Sequence, residues 1–80
     1  EGMKKGRQMV EAIVTEKNAE WKIHDFRMVR GSTHTNLIFD LVVAPEELVK
    51  KQEIERWVKE KIHDAAPELY AVVTVEQSFL

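Results

Sequence analysis

The chain has 80 residues, no cysteine, and 12 basic against 14 acidic side chains, which gives a formal net charge of -2. This length indicates a single domain with a thin core, because a chain of this size buries only about 60% of its unfolded surface. The lack of cysteine excludes disulfides and a thiolate metal cage. The charge balance argues against a nucleic-acid partner, since such modules usually carry a basic excess. No apolar run approaches the roughly 20 residues of a membrane-spanning helix, so direct membrane insertion is not expected.

The first predicted elements are a helix over residues 3–17 and a strand over residues 21–30. In the helix, Met9, Val10, Ile13 and Val14 lie at near-helical spacing. In the strand the period changes to two. Strict alternation places His24, Phe26 and Met28 on one face, and Ile23, Asp25, Arg27 and Val29 on the other.

A hairpin follows, because Gly31, Ser32 and Thr33 supply turn chemistry between two strand patterns. The second strand covers residues 34–43 and is expected to pair antiparallel with the first. One of its faces carries Leu37, Phe39, Leu41 and Val43, and the other carries Asn36, Ile38, Asp40 and Val42.

The last two predicted elements are a helix over residues 45–65 and a strand over residues 69–77. Pro45 suits a first helical turn, and Pro67 lies just past the helix end. The apolar stripe of the helix is Leu48, Ile54, Val58 and Ile62. In the strand, Leu69, Ala71, Val73 and Val75 point one way, and Tyr70, Val72, Thr74 and Glu76 point the other.

The element order helix, strand, strand, helix, strand predicts an α+β domain with two helices on one face of a three-stranded sheet. The second sheet face is then open and half-apolar. The apolar residues that alternation assigns to it are Ile23, Val29, Ile38, Val42, Tyr70 and Val72. A thin core and an open half-apolar face both favour docking of a partner, and we expect a homodimer.

The first hairpin resembles a known family. Residues Ile23 to Arg27 read Ile-His-Asp-Phe-Arg, and a Gly-led turn and an apolar strand follow. This pattern resembles the cytosolic C-terminal domain of cation diffusion facilitators, in which a "His-Asp-Leu-Arg"-like strand follows a first helix. The similarity extends from about Met3 to Glu76 and is strongest over residues 23–43.

The resemblance implies a homodimeric domain with a ferredoxin-like or metallochaperone-like fold. Such a domain lies on the cytoplasmic side of the cell membrane, below the transmembrane part of an exporter that exchanges a divalent metal, commonly Zn²⁺, for protons. It binds metal near the dimer interface and thereby biases the conformation of the transporter. Residues 1–80 are then one cytosolic C-terminal domain of a longer membrane protein, an expectation compatible with a chain that begins with Glu1.

The metal ligands that the resemblance implies are only partly present. His24 matches the histidine of the first strand. Phe39, with Asp40 beside it, occupies the place of a second-strand histidine, and Thr74 occupies that of a last-strand histidine, with Glu76 two residues later. The candidate metal ligands are therefore His24, Asp40 and Glu76, and Zn²⁺ binding is expected to be weak or absent.

Strand alternation alone puts His24 on the opposite face from Asp40 and Glu76. A bulge near Asp25 would bring the three onto one face, and the phase difference between residues 21–23 and 26–28 points to such a bulge. The other histidines, His34 in the hairpin and His63 at a helix end, are expected to be structural.

The sequence does not predict an enzyme. Ser32 and Ser78 lie outside any Gly-x-Ser-x-Gly context, and the three glycines do not form a phosphate-binding loop. The rival interpretation is a stand-alone ferredoxin-like module that binds a small molecule or a protein through its open sheet face. A nucleic-acid binder is disfavoured by the charge and by the lack of paired exposed aromatic residues.

Overall fold

The computed structural model describes residues 2–78 and places two helices against one face of a three-stranded sheet. The elements in chain order are α1 (Gly2–Lys17), β1 (Lys22–Arg30), β2 (Thr35–Val43), a 3₁₀ helix (Pro45–Lys50), α2 (Lys51–Ala65) and β3 (Leu69–Gln77). Across residues 2–78, no helix has both the length and the apolar character needed to cross a membrane.

The sheet has the order β1-β2-β3. β1 pairs antiparallel with β2 through the short hairpin, as predicted. β3 pairs parallel with β2, because the 3₁₀ helix and α2 carry the chain back before β3 begins. The predicted α+β, ferredoxin-like class and the element order are therefore confirmed.

The core lies between the helices and the sheet. Val10 and Val14 enter it from α1, and Ile54, Val58 and Ile62 enter it from α2. Within residues 2–78 no polar or charged side chain is buried. The buried residues that the strands and the α1–β1 loop contribute are Trp21, Ile23, Phe26, Leu37, Phe39, Leu41, Val43, Val73 and Val75.

Gly6 allows α1 to approach the sheet closely. A Cβ atom at this position would lie 2.9 Å from Cε of Met28 and 3.5 Å from Cζ of Phe26. A glycine in the first turns of a helix weakens the helix by about 1 kcal/mol relative to alanine. Here it lets the helix backbone pack directly against side chains of β1.

β1 contains a bulge between His24 and Arg27, and strict alternation is therefore wrong for the start of this strand. Ile23 is 3% exposed and belongs to the core, whereas His24 is exposed. The extra residue is Asp25, which has φ 55 and no register partner on β2. Asp25 itself is exposed, and because it lies in the bulge, alternation no longer determines the face to which its side chain points.

The second predicted helix is not α-helical throughout, since residues 45–50 form a 3₁₀ helix. Leu48 packs against the core, as do Ile54 and Val58. In a continuous α-helix with 3.6 residues per turn, Leu48 would point about 120° away from Ile54. The tighter 3₁₀ segment turns Leu48 back towards the core.

A partly buried hydrogen-bond cluster around Glu47 joins the α1–β1 loop to the 3₁₀ helix. One carboxylate oxygen accepts the indole N–H of Trp21 and the backbone N–H of Ala44, each at 3.0 Å. The other accepts the side-chain N–H of Asn18 at 3.2 Å. Burial raises the pKa of Glu47, but these hydrogen bonds outweigh it, so that the pKa lies below its ordinary value of 4.5.

We predict that Glu47→Gln lowers the free energy of unfolding at pH 7 by about 1–2 kcal/mol, because an amide replaces a charged hydrogen-bond acceptor. The depressed pKa means that the contribution of Glu47 is fully present above pH 4.5 and is lost as the pH falls through the lower folded pKa. Urea unfolding of both proteins between pH 7 and pH 3 should therefore show the stability difference shrinking in acid.

The matched control is Glu46→Gln, an exposed carboxylate in the same turn. It should change the free energy of unfolding by less than about 0.5 kcal/mol. An equal loss in both variants, or a Glu47→Gln deficit that does not depend on pH, would contradict the role assigned to the cluster.

Candidate functional site

The face of the sheet turned away from the helices, called here the open face, carries four rows of side chains across the three strands. Each row contains one residue from each strand, aligned by the strand register. The rows are Lys22, Val42 and Glu76; His24, Asp40 and Thr74; Arg27, Ile38 and Val72; and Val29, Asn36 and Tyr70.

The four rows differ in polarity along the strands. The two rows with His24 and Glu76, called here the polar rows, hold five polar side chains around Val42. The other two, called here the apolar rows, expose large apolar surface: Val29 is 50% exposed and Tyr70 and Val72 are each 48% exposed. The open face therefore combines an exposed apolar patch with a polar end that contains the candidate metal ligands.

The bulge brings His24 and Asp40 together. They are direct register partners on β1 and β2, so their side chains share the open face. Side chains in such a pair have Cβ atoms about 5 Å apart, so both could contact the same metal ion. The bulge predicted near Asp25 is confirmed, and the opposite-face placement of His24 from strict alternation is wrong.

Glu76 lies on the same face but one row away from this pair. It aligns with Val42, whereas Thr74 aligns with Asp40. Diagonal neighbours on adjacent strands, such as Asp40 and Glu76, have Cα atoms about 7–8 Å apart. Zn²⁺ holds its ligand atoms at about 2 Å. Among residues 2–78, no three His, Cys, Asp or Glu side chains are grouped closely enough to hold a metal ion.

Asp40, and not Phe39, occupies the second-strand position across from His24. Phe39 is 1% exposed and stacks on Phe26 inside the core, with ring centroids 6.1 Å apart. The side chain at position 39 therefore points into the core, and Asp40 beside it is the residue that faces His24. The row His24, Asp40, Thr74 contains one imidazole and one carboxylate, and Thr74 is exposed at its end on the edge strand β3.

A groove of about 770 Å³ lies at the polar end of the sheet. His24, Val42 and Glu76 line it, together with Trp21 and Pro45. The groove gives the polar rows a concave neighbour that a second molecule or a hydrated ion could occupy.

At the other end of the sheet, His34 and His63 each pack against Tyr70. The ring centroids lie 4.4 Å apart for His34 and Tyr70 and 5.2 Å apart for His63 and Tyr70. His63 is also in the last turn of α2, where a cation is favoured by the helix dipole. Periodicity could not indicate this contact, because its residues come from the hairpin loop, α2 and β3.

Solved structures with the same fold come from metal transporters. A domain of CzrB, assigned as a zinc transporter, aligns with TM-score 0.75 at 22% identity over 89% of this chain and 90% of its own. The zinc form of CzrB aligns with TM-score 0.76 at 21% identity, over 92% and 86% of the two chains.

A third neighbour is the metal-bound C-terminal domain of the CzcD transporter from Thermotoga maritima. It aligns with TM-score 0.74 at 14% identity, over 96% of this chain and 93% of its own. No protein-family model and no curated protein sequence matches the chain. At these identities the likeness shows a shared fold. The neighbours with this fold are transporter proteins, the kind of protein that residues 23–43 resemble.

Proposed function

We propose that this chain is the cytosolic C-terminal domain of a cation diffusion facilitator, a divalent metal-ion exporter with Zn²⁺ as its expected cargo. In this proposal the domain is attached to the transmembrane domain of the same chain and lies on the cytoplasmic side of the cell membrane. It pairs with a second copy and biases the conformation of the transporter. It has no catalytic role of its own.

The exposed open face supports the proposal most strongly, because it belongs to a fold that the chain shares with transporter domains. Val29, Tyr70 and Val72 are each about half exposed and lie in adjacent rows. A patch of this kind favours association, and a second copy of the same surface supplies a self-complementary partner. The rival, a stand-alone binding module, has no neighbour among these structures.

Metal enters the proposal through the polar rows. His24 and Asp40 supply two adjacent ligands, and Glu76 lies one row away. Two copies facing each other would bring these carboxylates close together, and like charges at close range oppose association. A divalent cation between the copies would remove that repulsion and accept ligands from both. Metal would then favour the closed arrangement by binding it more tightly than the open one.

We predict a homodimer at micromolar concentration that depends on the apolar rows. Val72→Glu should shift the chain to the 9.3 kDa monomer in sedimentation velocity, because it places a charge within the apolar patch. The control is Val49→Glu on the 3₁₀ helix, where the side chain is 87% exposed and lies away from the open face. A monomeric parent protein, or equal effects of the two variants, would count against pairing through this face.

We also predict weak Zn²⁺ binding that can be strengthened by completing the row of His24. Thr74→His adds a second imidazole to the row that already contains Asp40. In calorimetric titration it should raise the Zn²⁺ affinity by at least about tenfold, the lower end of the change that outer-shell partners of metal ligands alone produce. Val72→His adds the same group one row away and should have a smaller effect. Submicromolar binding by the parent would contradict the weak site.

The charge of Asp40 should couple metal to pairing. Asp40→Asn removes one of the carboxylates that repel each other across the proposed interface, so the metal-free dimer should dissociate less readily. Its response to Zn²⁺ should be smaller than that of the parent, because less repulsion remains to be relieved. Dimer dissociation constants of both proteins, with Zn²⁺ and with a chelator, measure this. An unchanged response to Zn²⁺ would exclude Asp40 from sensing.

A further inference from the structure

The spacing of the buried residues in β1 does not fit a regular strand. Ile23 and Phe26 are 3% and 8% exposed, yet they are three residues apart. Alternate residues of a strand face the same side, so residues with an odd separation face opposite sides unless an extra residue is accommodated. β1 accommodates this residue as the bulge between His24 and Arg27.

Two regular pairings of β1 are conceivable, and both are unfavourable. Extending the His24–Asp40 pairing without a bulge would turn Asp25 inward and expose Phe26. Extending the Arg27–Ile38 pairing in the other direction would turn His24 inward and expose Ile23. Each alternative buries a polar group and removes a large apolar side chain from the core.

The backbone of Asp25 makes the observed pairing feasible. Its φ of 55 is the only positive φ of a non-glycine residue within the described part of the chain. Glycine commonly fills the left-handed position of a bulge, and aspartate is among the few other residues that tolerate it. The left-handed backbone conformation of the exposed Asp25 therefore allows both Ile23 and Phe26 to stay buried.

We propose that Asp25 is the positioning residue for His24: by adopting the left-handed conformation it places the imidazole opposite Asp40 on the open face. The side chain of Asp25 is exposed and is not needed as a ligand. Its role is to set the register of the strand that carries His24. The metal-binding consequence rests on the proposed function, whereas the register itself does not.

A substitution series at Asp25 tests this in the metal-free chain. Asp25→Gly and Asp25→Asn should keep the folding equilibrium constant within about threefold of the parent, because both residues accept a positive φ. Asp25→Val should lower that constant by about tenfold, since a β-branched residue is strained there. Asp25→Ala should fall between these limits and keeps the series informative if the valine variant does not fold.

The register is read directly by NMR, from the cross-strand backbone contact between His24 and Asp40. It should persist in Asp25→Gly and Asp25→Asn, which accept a positive φ, and weaken in Asp25→Ala and Asp25→Val, which do not. The matched control is Arg27→Ala, at a position that pairs regularly with Ile38, and it should leave the contact unchanged. An unchanged His24–Asp40 contact in Asp25→Val, or stability that does not follow tolerance of positive φ, would overturn the proposal.

Zn²⁺ titration of the same variants separates positioning from ligation. Asp25→Gly should retain the Zn²⁺ affinity of the parent within about threefold, and Asp25→Ala should bind more weakly as the register loosens. A loss of affinity in Asp25→Gly with the register intact would make the carboxylate a ligand and overturn the proposal. If the parent binds no Zn²⁺, the proposed function fails, while the stability and NMR results still decide the role of Asp25.

Discussion

The odd spacing of Ile23 and Phe26 is the constraint from which the organisation of the open face follows. Both residues are buried against the helices, and only a bulge lets a strand bury residues three positions apart. Because the bulge absorbs Asp25, the strand on its far side is out of phase, and His24 emerges beside Asp40. The packing of the core therefore decides which side chains face outward on the open face.

The same sheet serves two surfaces of different chemistry. Its inner face is apolar along each strand and packs against α1 and α2, with Gly6 allowing close contact. Its outer face separates into apolar rows and polar rows. A small domain with a thin core gains stability from covering the apolar rows. In the proposed dimer the polar rows would provide carboxylates whose repulsion a cation can relieve, so that pairing and metal binding would be linked in one surface.

The sequence predicted best those elements whose pattern stays regular from end to end. The predicted strand over residues 69–77 coincides with β3, and the apolar face of β2 is the one expected. Strict alternation was wrong at Asp25, where one extra residue broke the period, although the phase difference between residues 21–23 and 26–28 had indicated the bulge there. A continuous α-helix was wrong over residues 45–50, where a 3₁₀ helix brings Leu48 to the core. The alternation rule alone could not place His24, because the deciding quantity was the cost of exposing Ile23.

Contacts between distant parts of the chain left no trace in the sequence pattern. Trp21 donates to Glu47 from 26 residues away, and Tyr70 packs between His34 and His63. Such contacts depend on how the elements pack together, which a periodicity does not encode. For the candidate ligands, the residue types pointed to His24, Asp40 and Glu76, and only the strand register gave their relative positions.

Residue-resolved NMR during a Zn²⁺ titration shows which part of the domain responds to metal. If the proposal that metal acts on the polar rows is correct, the backbone amides of His24, Asp40 and Glu76 and the imidazole of His24 should shift first, with the apolar rows following as the copies pair. Shifts centred on His34 and His63, with the polar rows unchanged, would contradict it.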